Sequence, residues 1–350
     1  MSAVHPVSPT PEASEVTGMH ASRFHKIAIV GAGAIGGWLG VHLARAGAQL
    51  SVLARGDTLQ AVQRHGLQLH QAGTLHRVSV NAAQDARELG VQDLVVIAVK
   101  APALALVAQQ VGPLLGPNTV VMTAMNGVPW WFLQGFGGAL AGRSLQAVDP
   151  QGSIAQALPA AHIVGCVVHS SCSVDAPGVV RHHFGEGLIV GEPSGPSSPR
   201  VQALAALLQT AGFQASVSPQ IQKDIWYKLW GNMTVNPISA ITGATTDRIL
   251  DDELVRGFAS AMMREAQAIG ACVGIPIDQQ PEDRHAVTRK LGAFRTSMLQ
   301  DVQAGKPVEL DALVGAVREL GQLTGVATPC IDALLGLARL HARGLGLYPQ

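Results

Sequence analysis

The sequence has no excess of charge of either sign and no long apolar run. Its 24 Lys and Arg residues balance its 24 Asp and Glu residues, so the formal net charge is zero. Without a basic surface, binding to nucleic acid or to an anionic membrane is not expected. The apolar run at residues 94–99 is far shorter than the roughly 20 residues that span a bilayer. The sequence therefore predicts a soluble protein whose partners are neither nucleic acid nor membrane.

Cysteine and metal-ligand motifs are sparse as well. The four cysteines contain no C-x-x-C pair, which favours reduced, mostly buried thiols over a disulfide or zinc framework. Reduced thiols fit a cytoplasmic protein. The 13 histidines include no H-E-x-x-H motif or comparable spacing, so the sequence predicts no metal site.

The N-terminal segment lacks the features of a signal peptide. It is rich in Pro, Ser and Thr, and it has neither a basic start nor an apolar core. Such a composition cannot bury enough apolar surface to fold, so residues 1–23 are predicted to be a disordered tail. Met19 is an alternative start of the protein, which the sequence does not decide.

From Phe24 onward, short apolar runs alternate with helical patterns, which predicts an α/β fold with a doubly wound parallel sheet. Between residues 163 and 190 the pattern becomes rich in strands, and antiparallel strands should extend the sheet there. After Arg200, apolar residues at spacings of three and four indicate helices to the end of the chain. We therefore expect an N-terminal Rossmann dinucleotide-binding domain over residues 24–195. An all-α C-terminal domain for substrate binding and dimerisation should occupy residues 196–346.

Three glycines follow the first predicted strand at the spacing G-x-G-x-x-G. Gly31 permits a tight turn, Gly33 lets the backbone approach a pyrophosphate, and Gly36 allows close packing of helix and strand. Ala34 and Ile35 lie between them at the start of the predicted helix, whose N-terminus favours phosphate. The fingerprint alone is a weak signal, but a strand before it and a helix after it predict a dinucleotide site.

The residue expected beside the adenosine ribose is not acidic. NAD-binding Rossmann sites place Asp or Glu about 20 residues beyond the first glycine, where it binds the ribose 2′-hydroxyl. Here the second strand is followed by Ala54 and Arg55. An arginine can pair with a 2′-phosphate, which predicts NADP(H) as the cofactor. The alternative is that Arg55 is a solvated surface residue.

A lysine and two asparagines recur every four residues in the helical half. Lys228, Asn232 and Asn236 would lie along one face of a helix, with apolar residues beside them. Because asparagine is a poor helix former, the pattern indicates either a polar site or a solvated face with ordinary interhelical hydrogen bonds. Pro237 should end or kink this helix. Lys223 lies off the polar face and is expected to be a surface charge.

These motifs resemble the ketopantoate reductase family, whose members are also called 2-dehydropantoate 2-reductases. The similarity extends from about Phe24 to Ala342. It comprises GAGAIG, Arg55, VK at 99–100, NG at 126–127, the K-x-x-x-N-x-x-x-N-P helix at 228–237, and SMLQD followed by GKPVELD within 297–311. The resemblance implies NADPH-dependent reduction of a small 2-oxo acid, with ketopantoate to pantoate as the first candidate.

The resemblance also implies roles for individual residues. Lys228 matches a catalytic lysine that donates a proton to the substrate carbonyl, which partial burial would assist by bringing its pKa toward neutrality. Glu309 matches an acid that binds a substrate hydroxyl and holds the lysine in place. It also precedes a helical pattern and so is an acid at a helix N-terminus, a role compatible with the first. Ser297 matches a ligand of the substrate carboxylate, and Asn232 and Asn236 match side chains that orient substrate oxygens. Asn126 matches a residue that contacts both the nicotinamide side and the substrate, and Lys100 matches a lysine close to cofactor and substrate.

Two features depart from the family pattern. Trp130 and Trp131 add aromatic bulk beside the expected nicotinamide position, where they either pack a helix against the sheet or reshape the pocket. Thr246 lies near a position where the family usually carries Asn. A divergent paralogue that acts on another 2-oxo or 3-oxo acid or on an imine is therefore an alternative, as is a non-catalytic NADPH-sensing protein. The helices after residue 250 either form a homodimer interface or pack as core.

Overall fold

The computed structural model describes residues 23–350. Residues 1–22 of the predicted tail, including Met19, lie outside the described residues. The strands over 23–350 are β1 (Lys26–Val30), β2 (Gln49–Leu53), β3 (Leu67–Gln71), β4 (Thr74–Val78), β5 (Asn81–Ala83), β6 (Leu94–Ile97), β7 (Val120–Thr123), β8 (Ile163–Ala176), β9 (Val179–Gly191) and β10 (Gln214–Val217). The α-helices are α1 (Ala34–Arg45), α2 (Gly56–His65), α3 (Ala101–Gln110), α4 (Ser153–Ala157), α5 (Pro199–Thr210), α6 (Ile221–Thr242), α7 (Thr246–Asp251), α8 (Glu253–Cys272), α9 (Pro281–Arg289), α10 (Ser297–Gln303), α11 (Ala316–Thr324) and α12 (Pro329–Gly344). None of these helices is long and apolar enough to cross a membrane.

The strands form one sheet in the order β4-β3-β9-β8-β7-β6-β1-β2-β5, and β10 pairs with β9. β1 lies between β2 and β6, and the pairs from β5 through to β8 are parallel. The chain leaves β1 toward β2 on one side and later returns to β6 on the other side, so the strand order reverses at β1. Open α/β sheets bind ligands at such a reversal, beyond the carboxyl ends of the strands. The predicted Rossmann fold is confirmed.

The strand-rich segment extends the sheet as expected, because β8 and β9 form an antiparallel pair. The helical interpretation of the residues after Arg200 is wrong at β10, which pairs in parallel with β9. β10 has only four residues, too few for a period-two pattern to stand out between two helices. The boundary between the two domains, placed at residues 195 and 196 from the sequence, stays a prediction.

The two faces of the sheet pack against different layers. Alternate residues of β1 point to opposite faces, so Ala28 and Val30 join one apolar core while Ile27 and Ile29 join the other. The first core continues into the helical domain and includes residues of α6, α8 and α12. This shared apolar packing fixes α6 against one face of the sheet.

Pro237 lies inside α6, which continues to Thr242, so the predicted helix end at this proline is wrong. Proline removes one backbone hydrogen bond from a helix. All residues from Met233 to Ala240 are buried, and their apolar packing offsets that loss. α6 therefore runs as one element past β8 and α10.

Candidate active site

The glycine turn lies at the carboxyl end of β1, where the sheet order reverses. Gly31 has a left-handed φ of 94°, and a side chain there would collide with the residues after β6. A Cβ on Gly36 would lie 2.0 Å from the Gly31 carbonyl oxygen, so only glycine lets α1 pack this close to the turn. A Cβ on Gly33 would meet no atom within 4 Å. This open space fits a phosphate group, because the first turn of α1, with Ala34 and Ile35, carries unpaired N–H groups and no acid.

Arg55 follows β2 and directly precedes α2. Its side chain is exposed and has no hydrogen bond or ion pair with any described residue. The guanidinium is therefore free to pair with a phosphate. Exposure is compatible with both interpretations of Arg55, and its role in cofactor choice stays a prediction.

Lys228 reaches from α6 to the sheet. Its ammonium donates to the Asn126 side-chain oxygen at 2.8 Å and to the Val168 carbonyl oxygen at 2.7 Å. Both acceptors are neutral, and an ammonium has three N–H groups, so one proton has no partner among the described residues. Burial is the main cause that lowers the pKa of Lys228 to about 8. Lys228 therefore carries a proton at neutral pH and can release it to a substrate.

Asn126 links the sheet to this lysine. It follows β7 in a loop that contacts Ala312, shortly before α11. Gly127 has a left-handed φ of 82°, and a Cβ there would lie 2.6 Å from the Ala312 carbonyl oxygen. The same oxygen accepts from the Val128 N–H at 2.8 Å. This close contact fixes the loop, and so fixes the Asn126 side chain that accepts from Lys228.

Asn232 and Asn236 continue the polar face of α6 beyond Lys228. Asn236 is 6% exposed and Asn232 is half-buried. Neither side-chain amide has a hydrogen-bond partner among residues 23–350, yet neither amide is sealed from solvent. The ordinary interhelical hydrogen bonds of the alternative interpretation are therefore missing from this part of the described chain. Accessible, unpartnered amides can bind substrate oxygens.

Glu309 and Lys100 lie at the junction of the two domains. The Glu309 carboxylate accepts from the Ala101 N–H at 3.0 Å, so it binds the N-terminus of α3 and not that of the helical run that it precedes. Lys100 forms an ion pair with Asp301 of α10. Burial raises the pKa of both acids. No hydrogen bond joins Glu309 to Lys228, but the charge of Glu309 raises the pKa of that lysine.

Ser297 is the first residue of α10 and is exposed. Sequence reasoning missed Asp301, although it lies in the SMLQD motif four residues after Ser297, a spacing that places both on one helix face. It also missed Arg284, whose charge lowers the pKa of Lys228. Arg284 lies on a separate helix, so no local spacing connects it to the lysine.

Trp130 and Trp131 are buried, with 3% and 1% of their surfaces exposed. The Trp131 indole donates to the Thr123 hydroxyl on β7 at 3.2 Å, and a Cβ on Gly165 of β8 would come within 2.6 Å of its ring. Trp131 therefore packs against the sheet, which favours the packing interpretation.

Thr246 is not available to a substrate, because its hydroxyl donates to a backbone carbonyl at 2.8 Å. Lys223 is exposed, as predicted.

The described residues contain no group of three or more side chains that could hold a metal ion. An open glycine turn and a lysine prepared for proton transfer lie at the carboxyl ends of parallel strands. This combination defines a two-domain oxidoreductase that uses a nicotinamide dinucleotide.

The chain belongs to the ketopantoate reductase family. The family model described as "Ketopantoate reductase PanE/ApbA" matches residues 27–195, and the model of the C-terminal part of these proteins matches residues 220–342. The sequence is 48% identical to the 2-dehydropantoate 2-reductase of Mesorhizobium japonicum over 324 residues, which cover 92% of this chain and 99% of that protein.

Two solved structures show the same arrangement. One, from Ralstonia solanacearum MolK2 and provisionally assigned as a ketopantoate reductase, has 58% identity and a TM-score of 0.90, and the match covers 93% of this chain and 100% of that one. The 2-dehydropantoate 2-reductase of Methylococcus capsulatus has 26% identity and a TM-score of 0.77, with 91% and 97% covered. Both likenesses extend over the Rossmann and the helical domains.

Proposed function

We propose that the protein reduces 2-dehydropantoate (ketopantoate) to pantoate with NADPH. The observation that supports this most is the Lys228 ammonium, which keeps one unpaired proton beside the unpartnered amides of Asn232 and Asn236. The relative from Mesorhizobium japonicum carries this activity in its name. A lysine with a lowered pKa has no use in a protein that only senses NADPH, so a catalytic function is favoured over a sensor.

The side chains of the site suit reduction of a carbonyl group. Bound NADPH would supply the hydride that the carbonyl carbon receives. Lys228 donates its unpaired proton to the carbonyl oxygen and stabilises the negative charge that develops there. Asn126 and the Val168 carbonyl hold the ammonium in position. Because both acceptors are neutral, they leave the positive charge of the ammonium available to the substrate oxygen. Asn232, Asn236 and Ser297 contact the remaining substrate oxygens, and Glu309 binds a substrate hydroxyl.

The cofactor site is assigned to the glycine turn and the strand ends beside it. The turn from Gly31 through Gly33, Ala34 and Ile35 to Gly36 receives the pyrophosphate at the N-terminus of α1. The free guanidinium of Arg55 pairs with the 2′-phosphate, which distinguishes NADPH from NADH. Lys100 and Asn126 lie on the nicotinamide side. Since Lys100 is paired with Asp301, it positions the cofactor and is not the proton donor.

A homodimer is part of this proposal. Leu254 on α8 and Leu340 on α12 are 79% and 71% exposed, although most apolar residues of these helices belong to the shared core. These two leucines leave apolar surface exposed on two helices, which is compatible with a homodimer.

Steady-state consumption of NADPH with a panel of 2-oxo and 3-oxo acids tests the proposal. We expect kcat/KM above about 10⁴ M⁻¹s⁻¹ for 2-dehydropantoate, the ordinary range for an enzyme and its own substrate. A preference of tenfold or more for another oxo acid would reassign the substrate. Background rates with every compound would favour the sensor.

A further inference from the structure

A π-helical turn lies shortly after Glu309. It covers Asp311–Gly315 and leads into α11. Within it the Ala316 N–H donates to the Asp311 carbonyl oxygen, five residues back, whereas in an α-helix it would donate to the Ala312 carbonyl oxygen. The turn therefore leaves the Ala312 carbonyl oxygen free to bind outside its own helix.

The freed carbonyl fixes the loop after β7. The Ala312 carbonyl oxygen accepts from the Val128 N–H at 2.8 Å. Val128 is two residues beyond Asn126, whose side-chain oxygen accepts from the Lys228 ammonium. A displacement of the π-turn therefore reaches the acceptor of the lysine through only two peptide units.

Tyr348 holds the π-turn from outside the site. Its hydroxyl donates to Asp311 Oδ1 at 2.6 Å. Burial and this hydrogen bond raise the pKa of Tyr348 to about 12, so the hydroxyl stays a donor at working pH. The neighbouring Leu347 belongs to the apolar core, and its carbonyl oxygen accepts from the Val308 N–H at 3.2 Å. These two residues therefore contact the chain on both sides of Glu309.

The tyrosine is itself fixed on α12. The Arg343 guanidinium carbon lies 5.5 Å from the centre of the Tyr348 ring, and the Arg343 Nε–H donates to the Pro349 carbonyl oxygen at 2.7 Å. The Leu347 N–H donates to the Ala342 carbonyl oxygen at 2.8 Å. Tyr348 therefore connects a packed helix to the π-turn, and its hydroxyl is bound to the turn.

We propose that Tyr348 is a positioning residue for the reduction, which acts through Asp311 and the π-turn on Asn126. The inference rests on the proposed function and adds to it a residue outside the site. Without the hydroxyl, the turn and the loop after β7 are free to shift. The Lys228 ammonium then loses a neutral acceptor that stabilises its charged form. The lysine becomes a poorly placed proton donor whose pKa is lower than in wild type.

Tyr348→Phe removes only the hydroxyl and tests this series of contacts. Single-turnover stopped-flow oxidation of bound NADPH by 2-dehydropantoate measures the chemical step without product release. We expect the rate to fall about 3- to 10-fold, the range for losing one hydrogen bond. NADPH affinity should stay within about twofold of wild type.

The pH profile of the same rate separates positioning from a loss of stability. The basic limb should move to lower pH in Tyr348→Phe, because the pKa of Lys228 falls. The charges of Glu309 and Arg284, which also act on Lys228, are the same in both proteins. An unchanged rate, or a slower rate with an unchanged profile, would overturn the proposal.

Arg318→Met is the matched control. Arg318 pairs with Asp332 at 2.9 Å and so also ties the chain after the π-turn to α12, but both side chains are exposed. Exposed pairs contribute little, so the rate should stay within about twofold of wild type. Asp311→Ala should reproduce the loss seen in Tyr348→Phe, and Asp311→Asn, which keeps an acceptor, should restore most of the rate. If the asparagine restores nothing, or if Arg318→Met is equally slow, Tyr348 is not a positioning residue.

A double-mutant cycle with Asn126→Ala tests the route. In the Asn126→Ala background, Tyr348→Phe should slow the reaction by less than about twofold, because the acceptor that it positions is already absent. The full loss of the single variant in this background would show that Tyr348 does not act through Asn126, which overturns the proposal.

Amide hydrogen exchange at Val128 tests the contact without any substrate. The Val128 residue is buried, and its N–H is bonded to the Ala312 carbonyl oxygen. Exchange should be severalfold faster in Tyr348→Phe and unchanged in Arg318→Met. If the wild type reduces no oxo acid, the proposed function fails, and this measurement still decides the role of Tyr348. Equal exchange at Val128 in wild type and Tyr348→Phe would overturn that role.

Discussion

The glycine turn follows β1 and the polar face of α6 reaches Asn126 after β7, and these two parts of the site work through different parts of the chain. At the turn, the backbone forms the site: Gly31, Gly33 and Gly36 matter because no side chain is present. On α6 the side chains form the site, and each depends on a partner from elsewhere in the fold, as Lys228 depends on Asn126. A backbone site can be recognised from local spacing, whereas a side-chain site is complete only after folding.

The largest expected effect comes from removing the lysine side chain. Lys228→Ala should lower kcat by about two to four decades, the usual effect of removing a general acid, with little change in NADPH affinity. Lys223→Ala is the control, because Lys223 is on the same helix and exposed. Similar kcat values for the two variants would contradict the assignment of the polar face.

The second test separates two glycines of the turn. Gly36→Ala places a Cβ 2.0 Å from a backbone oxygen, so the turn must shift and the free energy of unfolding should fall by about 1–3 kcal/mol. Gly33→Ala meets no protein atom and should leave the melting temperature of the free protein unchanged, while NADPH affinity falls about tenfold because the cofactor needs that space. Thermal unfolding with and without NADPH measures both. Unchanged NADPH affinity in Gly33→Ala would show that the pyrophosphate lies elsewhere.

The sequence was sufficient for the Rossmann fold and for the polar face of α6, because both follow from spacing within a short segment. It was insufficient where partners are distant. Lys100 and Asp301 are 201 residues apart, and Glu309 binds the Ala101 N–H across 208 residues. An acid that directly precedes a helix is visible in a sequence, but the N-terminus of a different helix that the acid binds is not. The short strand β10 was missed for the same reason, since only its pairing with β9 makes it a strand.

The third test concerns the choice of cofactor, and its expected effect is smaller. Because the Arg55 guanidinium is free, wild type should bind NADPH about tenfold more tightly than NADH, which corresponds to about 1.4 kcal/mol. Arg55→Asp should remove this preference, since a carboxylate repels the 2′-phosphate and accepts from a 2′-hydroxyl. Fluorescence titration of both cofactors measures the ratio. Equal wild-type affinities would mean that Arg55 is a solvated surface residue.

The smallest expected effect is the pH dependence, and it tests whether the fold sets the acid strength of Lys228. Reduction needs the protonated lysine, so with a pKa of about 8 kcat should fall about twofold from pH 7 to pH 8 and about tenfold per unit well above that. Oxidation of pantoate needs the neutral lysine and should rise over the same range.

Glu309→Gln removes a charge that raises the pKa of Lys228 and should move the kcat profile to lower pH. Arg284→Met removes a charge that lowers it and should move the profile to higher pH. Profiles that coincide in all three proteins would show that another group supplies the proton.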